Sequence, residues 1–76
     1  MPNTIIGGSP EVREEIERAL AVLKKDKYTA KVEAIGSGEL AIRFEFGAND
    51  QTMKFSKDEQ QHKGAIEKKI IDDLDI

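Results

Sequence analysis

The hydrophobic residues of this chain change their spacing twice, and that change most constrains the fold. Val12, Ile16 and Leu20 recur at the spacing of one helix face, whereas the apolar residues between positions 28 and 55 recur at every second position. Helical spacing returns with Ile66 and Ile70. A period of about 3.6 residues is typical of an amphipathic helix, and a period of about two is typical of a half-buried strand. The sequence therefore predicts a helix, then strands, then a second helix.

The first helix is predicted over residues 10–25. Ser9 is a favourable N-cap, Pro10 stands at the first helical position, and glutamates follow in the first turn. Lysines gather at the other end, where they suit the negative pole of a helix. We place Glu14 and Glu15 on the outside of this helix, where no cleft is implied.

Three strands are predicted between residues 28 and 55, joined by glycine-bearing turns at 36–38 and 47–50. Strands joined by such short turns form an antiparallel meander. We choose the register that places apolar residues on one face and charges on the other, because a slip of one residue exchanges the faces. This register pairs Val32 with Phe44, Ala34 with Ile42, Phe44 with Phe55, Phe46 with Met53, Lys31 with Glu45, Glu33 with Arg43, and Glu45 with Lys54.

A second helix is predicted over residues 57–74. Ser56 and Glu59 have the spacing of a capping box, in which each side chain accepts a hydrogen bond from the other residue's backbone. Gly64 lies inside this helix, at a cost of about 1 kcal/mol relative to alanine. We expect that the two helices approach closely at Gly64, against Ala19.

These elements predict an α+β domain of two layers, with two helices on one face of a three-stranded antiparallel meander in the order α-β-β-β-α. A chain of 76 residues has room for one such domain, spanning residues 1–76. Residues 1–8 are an N-terminal arm. We expect Ile5 and Ile6 in this arm to cover the core rather than to pair with the edge of the sheet.

Composition excludes several kinds of site. The chain has no cysteine, which rules out disulfides and thiolate metal ligands. It has no run of about 20 apolar residues and its first residues lack the pattern of a signal peptide, so we expect a cytoplasmic protein that uses no membrane. The single histidine, His62, has no nucleophile beside it in any motif, and we expect it on the surface. We expect no enzymatic activity, no cofactor and no metal, in a monomer or a weak homodimer.

The face of the sheet that points away from the helices is the remaining candidate site. Charges of both signs alternate along its strands, with Arg43 at the centre, and arginine is enriched at the hot spots of protein interfaces. A solvated face with internal ion pairs of little energetic weight is the competing interpretation. We predict that a protein binds to this face, through Lys31, Glu33, Arg43, Glu45 and Lys54.

The element order over residues 10–74 is similar to that of the double-stranded RNA-binding domain. That family docks a lysine cluster at the start of its last helix onto phosphates, whereas this chain has Lys57-Asp58-Glu59 there. The family's Gly-Pro-x-His loop is replaced by Gly36-Ser37-Gly38. An RNA-binding alternative would use Lys57, Lys63, Lys68 and the end of the first helix. The net charge is −3 and no segment is a basic stripe, so nucleic acid is not the partner we expect.

A second resemblance is to small acidic phage-encoded inhibitors, including anti-CRISPR proteins with the same element order. It lies in Lys24-Lys25-Asp26-Lys27-Tyr28-Thr29-Ala30-Lys31-Val32, which leads from the first helix into the first strand. This resemblance implies a regulator or inhibitor from a phage or mobile element. We therefore predict a small non-enzymatic protein-interaction module whose partner is a protein.

Overall fold

The computed structural model of the protein describes residues 2–76 and has the predicted α+β class. A four-stranded sheet is covered on one face by helices. The elements in chain order are β1 (Thr4–Ile6), α1 (Pro10–Val22), β2 (Thr29–Ile35), β3 (Glu39–Phe46), β4 (Asn49–Phe55), α2 (Lys57–Gln61) and α3 (Ala65–Asp73). The sheet order is β1-β2-β3-β4, so the predicted antiparallel meander of three strands is present and a fourth strand extends it.

The expectation that the N-terminal arm only covers the core is wrong. Ile5 does pack against the core, but β1 also pairs in parallel with β2, with Ile5 opposite Ala30. The side chain of Asn3 anchors this edge, because it accepts from the backbone N–H of Tyr28 at 2.9 Å and donates to the carbonyl of Lys25 at 3.0 Å. A strand of three residues is too short to produce a recognisable alternation in the sequence.

The faces of the meander agree with the prediction, but the register does not. Val32 lies opposite Ile42 rather than Phe44, and Phe44 lies opposite Gln51 rather than Phe55. Both shifts are even numbers of residues, so every side chain keeps its predicted face. The second hairpin closes at the pair Phe46–Asn49 with two loop residues, 47 and 48, instead of the predicted turn over 47–50, because Gly47 adopts a φ of +60°, which suits the first central position of a tight hairpin turn.

The core lies between the helices and one face of the sheet. Ile42 and Phe44 are both 0% exposed there, whereas Arg43 between them is exposed. The predicted core residue Phe46 is an exception. It stands at the end of β3, is 39% exposed, and stacks on the ring of Tyr28 with the ring centroids 4.4 Å apart. The buried cluster consists of Ile16, Ala19, Leu20, Ala30, Ile42, Phe44, Met53, Phe55, Ile66 and Ile70.

Both helix caps read from the sequence are present. The Ser9 hydroxyl accepts from the backbone N–H of Val12 at 3.2 Å. Ser56 and Glu59 form the predicted capping box, with bonds of 2.8 and 3.0 Å. The hydrogen bond from the Ser56 backbone to the Glu59 carboxylate lowers the pKa of Glu59 below its ordinary value of 4.5. Helix α1 ends earlier than predicted, because Lys24 turns the chain with a φ of +57°.

The predicted helix over residues 57–74 is divided in two. Gly64 adopts a left-handed conformation with a φ of +84°, so α2 ends before it and α3 begins after it. The expectation that Gly64 permits a close approach to Ala19 is also wrong, since a Cβ added at Gly64 would meet no atom within 4 Å. Gly64 therefore provides a backbone conformation and not a packing contact.

We predict that Gly64→Ala destabilises the protein by about 1 kcal/mol, because an L side chain at a positive φ is strained even in open space. The free energy of unfolding, measured by chemical denaturation, gives the sign. Lys63→Ala, at an exposed neighbouring residue, is the control and should change stability by less than about 0.5 kcal/mol. A gain of stability in Gly64→Ala would indicate a continuous helix, in which alanine is preferred to glycine.

Candidate functional site

The face of the sheet that points away from the helices, called the outer face below, is polar and uncovered within the described residues. The strand pairing places residues from all four strands in rows across it. One row is Ile6, Lys31, Arg43 and Thr52, the next is Thr4, Thr29, Glu45 and Asp50, and a third is Glu33, Ala41 and Lys54. The row that contains Lys31 and Arg43 therefore separates the third row from Glu45.

A chain of ion pairs occupies the centre of the outer face. Lys31 Nζ lies 3.3 Å from Glu45, Arg43 Nε lies 3.2 Å from Glu45, and Arg43 Nη2 lies 3.1 Å from Asp50. The side chains of Lys31, Arg43 and Asp50 are each about half exposed, so each pair contributes less than about 1 kcal/mol to stability. The main physical effect of this chain of ion pairs is on geometry, because two carboxylates fix the direction of the Arg43 guanidinium.

The structure brings together three of the five predicted site residues. Lys31, Arg43 and Glu45 are in the ion-pair chain, although Lys31 reaches Glu45 diagonally because the residue opposite it is Arg43. The predicted pairs Glu33–Arg43 and Glu45–Lys54 do not form. Glu33 and Lys54 instead flank Ala41 from either side, and no ion pair between described residues includes either side chain.

Asp50 and Ile6 are among the residues of the outer face that were not selected from the sequence. Asp50 was assigned to a turn, whereas the tight turn at Gly47 makes it the second residue of β4 and a partner of Arg43. Ile6 was assigned to the arm, whereas the β1–β2 pairing places it beside Lys31 with 51% of its surface exposed. The correct register of β4 places Asp50 opposite Glu45 and would have identified it as an outer-face residue. For Ile6 the sequence gives no such indication, because the three residues of β1 are too few to show an alternation.

A concave surface lies between α1 and α2. This open groove, called the helix groove below, has a volume of about 530 Å³ and is lined by Glu11, Glu14, Glu15, Arg18, Gln60, Gln61 and Lys63. The expectation that Glu15 lies outside is wrong, because Glu15 is 8% exposed. Its Oε1 accepts from the backbone N–H of Glu67 at 3.0 Å, in the first turn of α3.

Arg18 and Glu14 of the helix groove also hold elements of the fold together. Arg18 binds Glu14 at 2.6 Å and Glu67 at 2.9 Å, which connects α1 to α3. The hydrogen bond to Glu67 is the main cause that raises the pKa of Arg18 above its ordinary value, so Arg18 stays charged. Because Gly64 has no side chain to cap α3, Glu15 supplies the missing acceptor from another helix. Glu14, Glu15 and Arg18 of this groove are thus engaged in packing the helices.

Other candidate chemistry is limited among residues 2–76. His62 is exposed as predicted, with its Nδ1 3.0 Å from the carbonyl oxygen of Asp58. Within this range no group of three or more histidine, aspartate or glutamate side chains is arranged to hold a metal ion. The helices in this range are also too short and too polar for any of them to cross a membrane.

Comparison with models of protein families, with curated proteins and with solved structures finds no match to this chain.

We predict that Glu15→Ala destabilises the protein by about 1 kcal/mol, because the Glu67 N–H loses its acceptor. Glu15→Gln should cost less, since the amide oxygen still accepts. The matched control is Glu17→Ala, the same change at an exposed position of the same helix. Urea denaturation measures all three variants. Equal stability of Glu15→Ala and Glu17→Ala would show that the bond to α3 has no energetic role.

Proposed function

We propose that this chain is a small non-enzymatic protein-interaction module that captures a protein partner through its outer face. The observation that carries the proposal is the ion-pair chain Lys31–Glu45–Arg43–Asp50 on a sheet face that no described helix covers. Arginine held in a fixed direction loses little conformational entropy on binding, which favours a role as an interface hot spot.

The neighbours of Arg43 support a protein as the ligand. Ile6 adds an exposed apolar side chain to the same row, and Ala41 leaves a shallow gap between Glu33 and Lys54. Protein interfaces commonly combine an arginine, an apolar contact and a rim of charges. Glu33 and Lys54, which form no ion pair with another described residue, suit a partner surface that presents a base opposite Glu33 and an acid opposite Lys54.

The mixed signs of the outer face argue against RNA as the partner. A phosphate backbone is bound by bases that release its counterions, whereas Glu45 and Asp50 neutralise Arg43 and Lys31 here. Glu59, at the position where the double-stranded RNA-binding domain presents a lysine, caps α2. We propose a regulatory or inhibitory role in the cytoplasm, of the kind that phages and mobile elements encode.

The proposal is tested with the purified chain as bait in extracts of its host. We expect that a specific protein is captured, that Arg43→Ala weakens its capture at least tenfold, and that nuclease treatment has no effect. Lys63→Ala is the control, because Lys63 is exposed, lies away from the outer face, and belongs to the RNA-binding alternative. Thermal denaturation checks that both variants fold.

Two results would contradict the proposal. One is capture that Arg43→Ala leaves unchanged, which would place the binding surface elsewhere. The other is binding of an RNA duplex that weakens steeply with salt and is lost in Lys63→Ala, which would favour the RNA-binding alternative.

A further inference from the structure

Strand β4 is an open edge of the sheet. It has seven residues, whereas β1 at the opposite edge has three. A long open edge presents a row of backbone N–H and C=O groups that another strand can pair with. Proteins often block such an edge with charges or proline. The charges on β4 therefore determine whether this edge is blocked or open to pairing.

The hairpin geometry fixes which backbone groups are free. The pair that closes a two-residue loop, here Phe46 and Asn49, exchanges hydrogen bonds, and antiparallel pairs alternate from there. The groups that point to the open side are those of Asp50, Thr52 and Lys54. The Lys54 carbonyl supports this direction, because it accepts from Lys69 Nζ at 2.7 Å outside the sheet.

The same three residues place their side chains on the outer face, with Thr52 midway between an acid and a base. If a second copy pairs antiparallel with Thr52 opposite Thr52, each Asp50 lies opposite the Lys54 of the other copy. All three free backbone positions then face one another. A shift of two residues in either direction removes both charge pairs and one of the backbone pairs.

We propose that β4 pairs with β4 of a second copy of this chain in that register, forming a continuous sheet of eight strands around a two-fold axis at Thr52. Opposite charges that face each other across strands stabilise the pairing, and like charges oppose it. The edge of this chain is thus complementary to itself, whereas a single sign of charge would block it.

Each group needed for the pairing has the capacity to make it. The Lys54 side chain stands beside Ala41 and takes part in no ion pair between described residues. Asp50 binds Arg43 through one oxygen at 3.1 Å and retains its second oxygen. The Lys54 carbonyl has a second lone pair besides the one that Lys69 uses.

The helix layer is complementary in the same arrangement. The base Lys69 lies at the Lys54 end of the edge. At the other end the Gln51 side chain donates to the carbonyl of Asp73 at 2.9 Å and accepts from the N–H of Asp75 at 2.8 Å. The two-fold axis brings Lys69, in the middle of one α3, towards the acidic C-terminal end of the other α3. Charge therefore favours the same register on both sides of the sheet.

This inference does not depend on the proposed capture of a partner by the outer face, although a dimer would present that face twice on one surface. The experiment is sedimentation of the full chain over a dilution series, with charge-reversed variants. Lys54→Asp and Asp50→Lys each place like charges opposite each other, and we expect each to raise the dimer dissociation constant at least about tenfold. An equimolar mixture of the two variants should form heterodimers, and the double variant Asp50→Lys/Lys54→Asp should recover the homodimer.

Two further variants separate the edge from the rest of the outer face. Glu33→Lys, the same kind of charge change on the interior strand β2, should leave the dimer unchanged. Thr52→Pro should abolish the dimer without unfolding the protomer, because the N–H that proline lacks points to the open side. A wild-type chain that stays monomeric at every concentration overturns the proposal. So does a dimer that Glu33→Lys weakens as much as Lys54→Asp, or a mixture of the two reversed variants that forms no heterodimer.

Discussion

The structure depends on the burial of one face of the meander beneath α1 and α3. Ile42 and Phe44 are completely buried at the centre of that face. Because successive residues of a strand point to opposite sides, their burial forces Arg43 onto the outer face together with its neighbours in β2 and β4. The ion-pair chain and the charges of the open edge are consequences of this alternation. The proposed function and the proposed dimer both use side chains that the core has directed outward.

The alternation could be read from the sequence, and the register could not. A shift of one strand against its neighbour by an even number of residues leaves every side chain on the same face. Several registers therefore match apolar residues with apolar residues and charges with charges almost equally well. The tight turn at Gly47 decided between them, and one glycine in the segment 47–50 did not reveal how many residues the loop contains. Consequently Lys31, Arg43 and Glu45 were correctly placed together, whereas Asp50 was missed and Lys54 was paired with the wrong strand neighbour.

Two other differences arise from contacts between distant parts of the chain. The pairing of β1 depends on Asn3, which bonds to the backbone around residues 25 and 28. The start of α3 depends on Glu15, which lies 52 positions before the residue that it caps. Local pattern carries no information about such partners. Gly64 is visible in the sequence, but its left-handed conformation and its role as a helix break depend on Glu15, which replaces the missing cap.

The outer face and the open edge both depend on the alternation of buried and exposed side chains along β3. Substitutions at two adjacent residues of this strand test that alternation most directly. Introducing leucine at residue 44 or at residue 43 compares the two faces with the same new side chain. The account predicts that Phe44→Leu lowers the free energy of unfolding by about 1 to 2 kcal/mol, while Arg43→Leu changes it by less than about 0.5 kcal/mol. The opposite result, in which urea denaturation shows that Arg43→Leu lowers the free energy of unfolding more than Phe44→Leu does, would contradict this alternation.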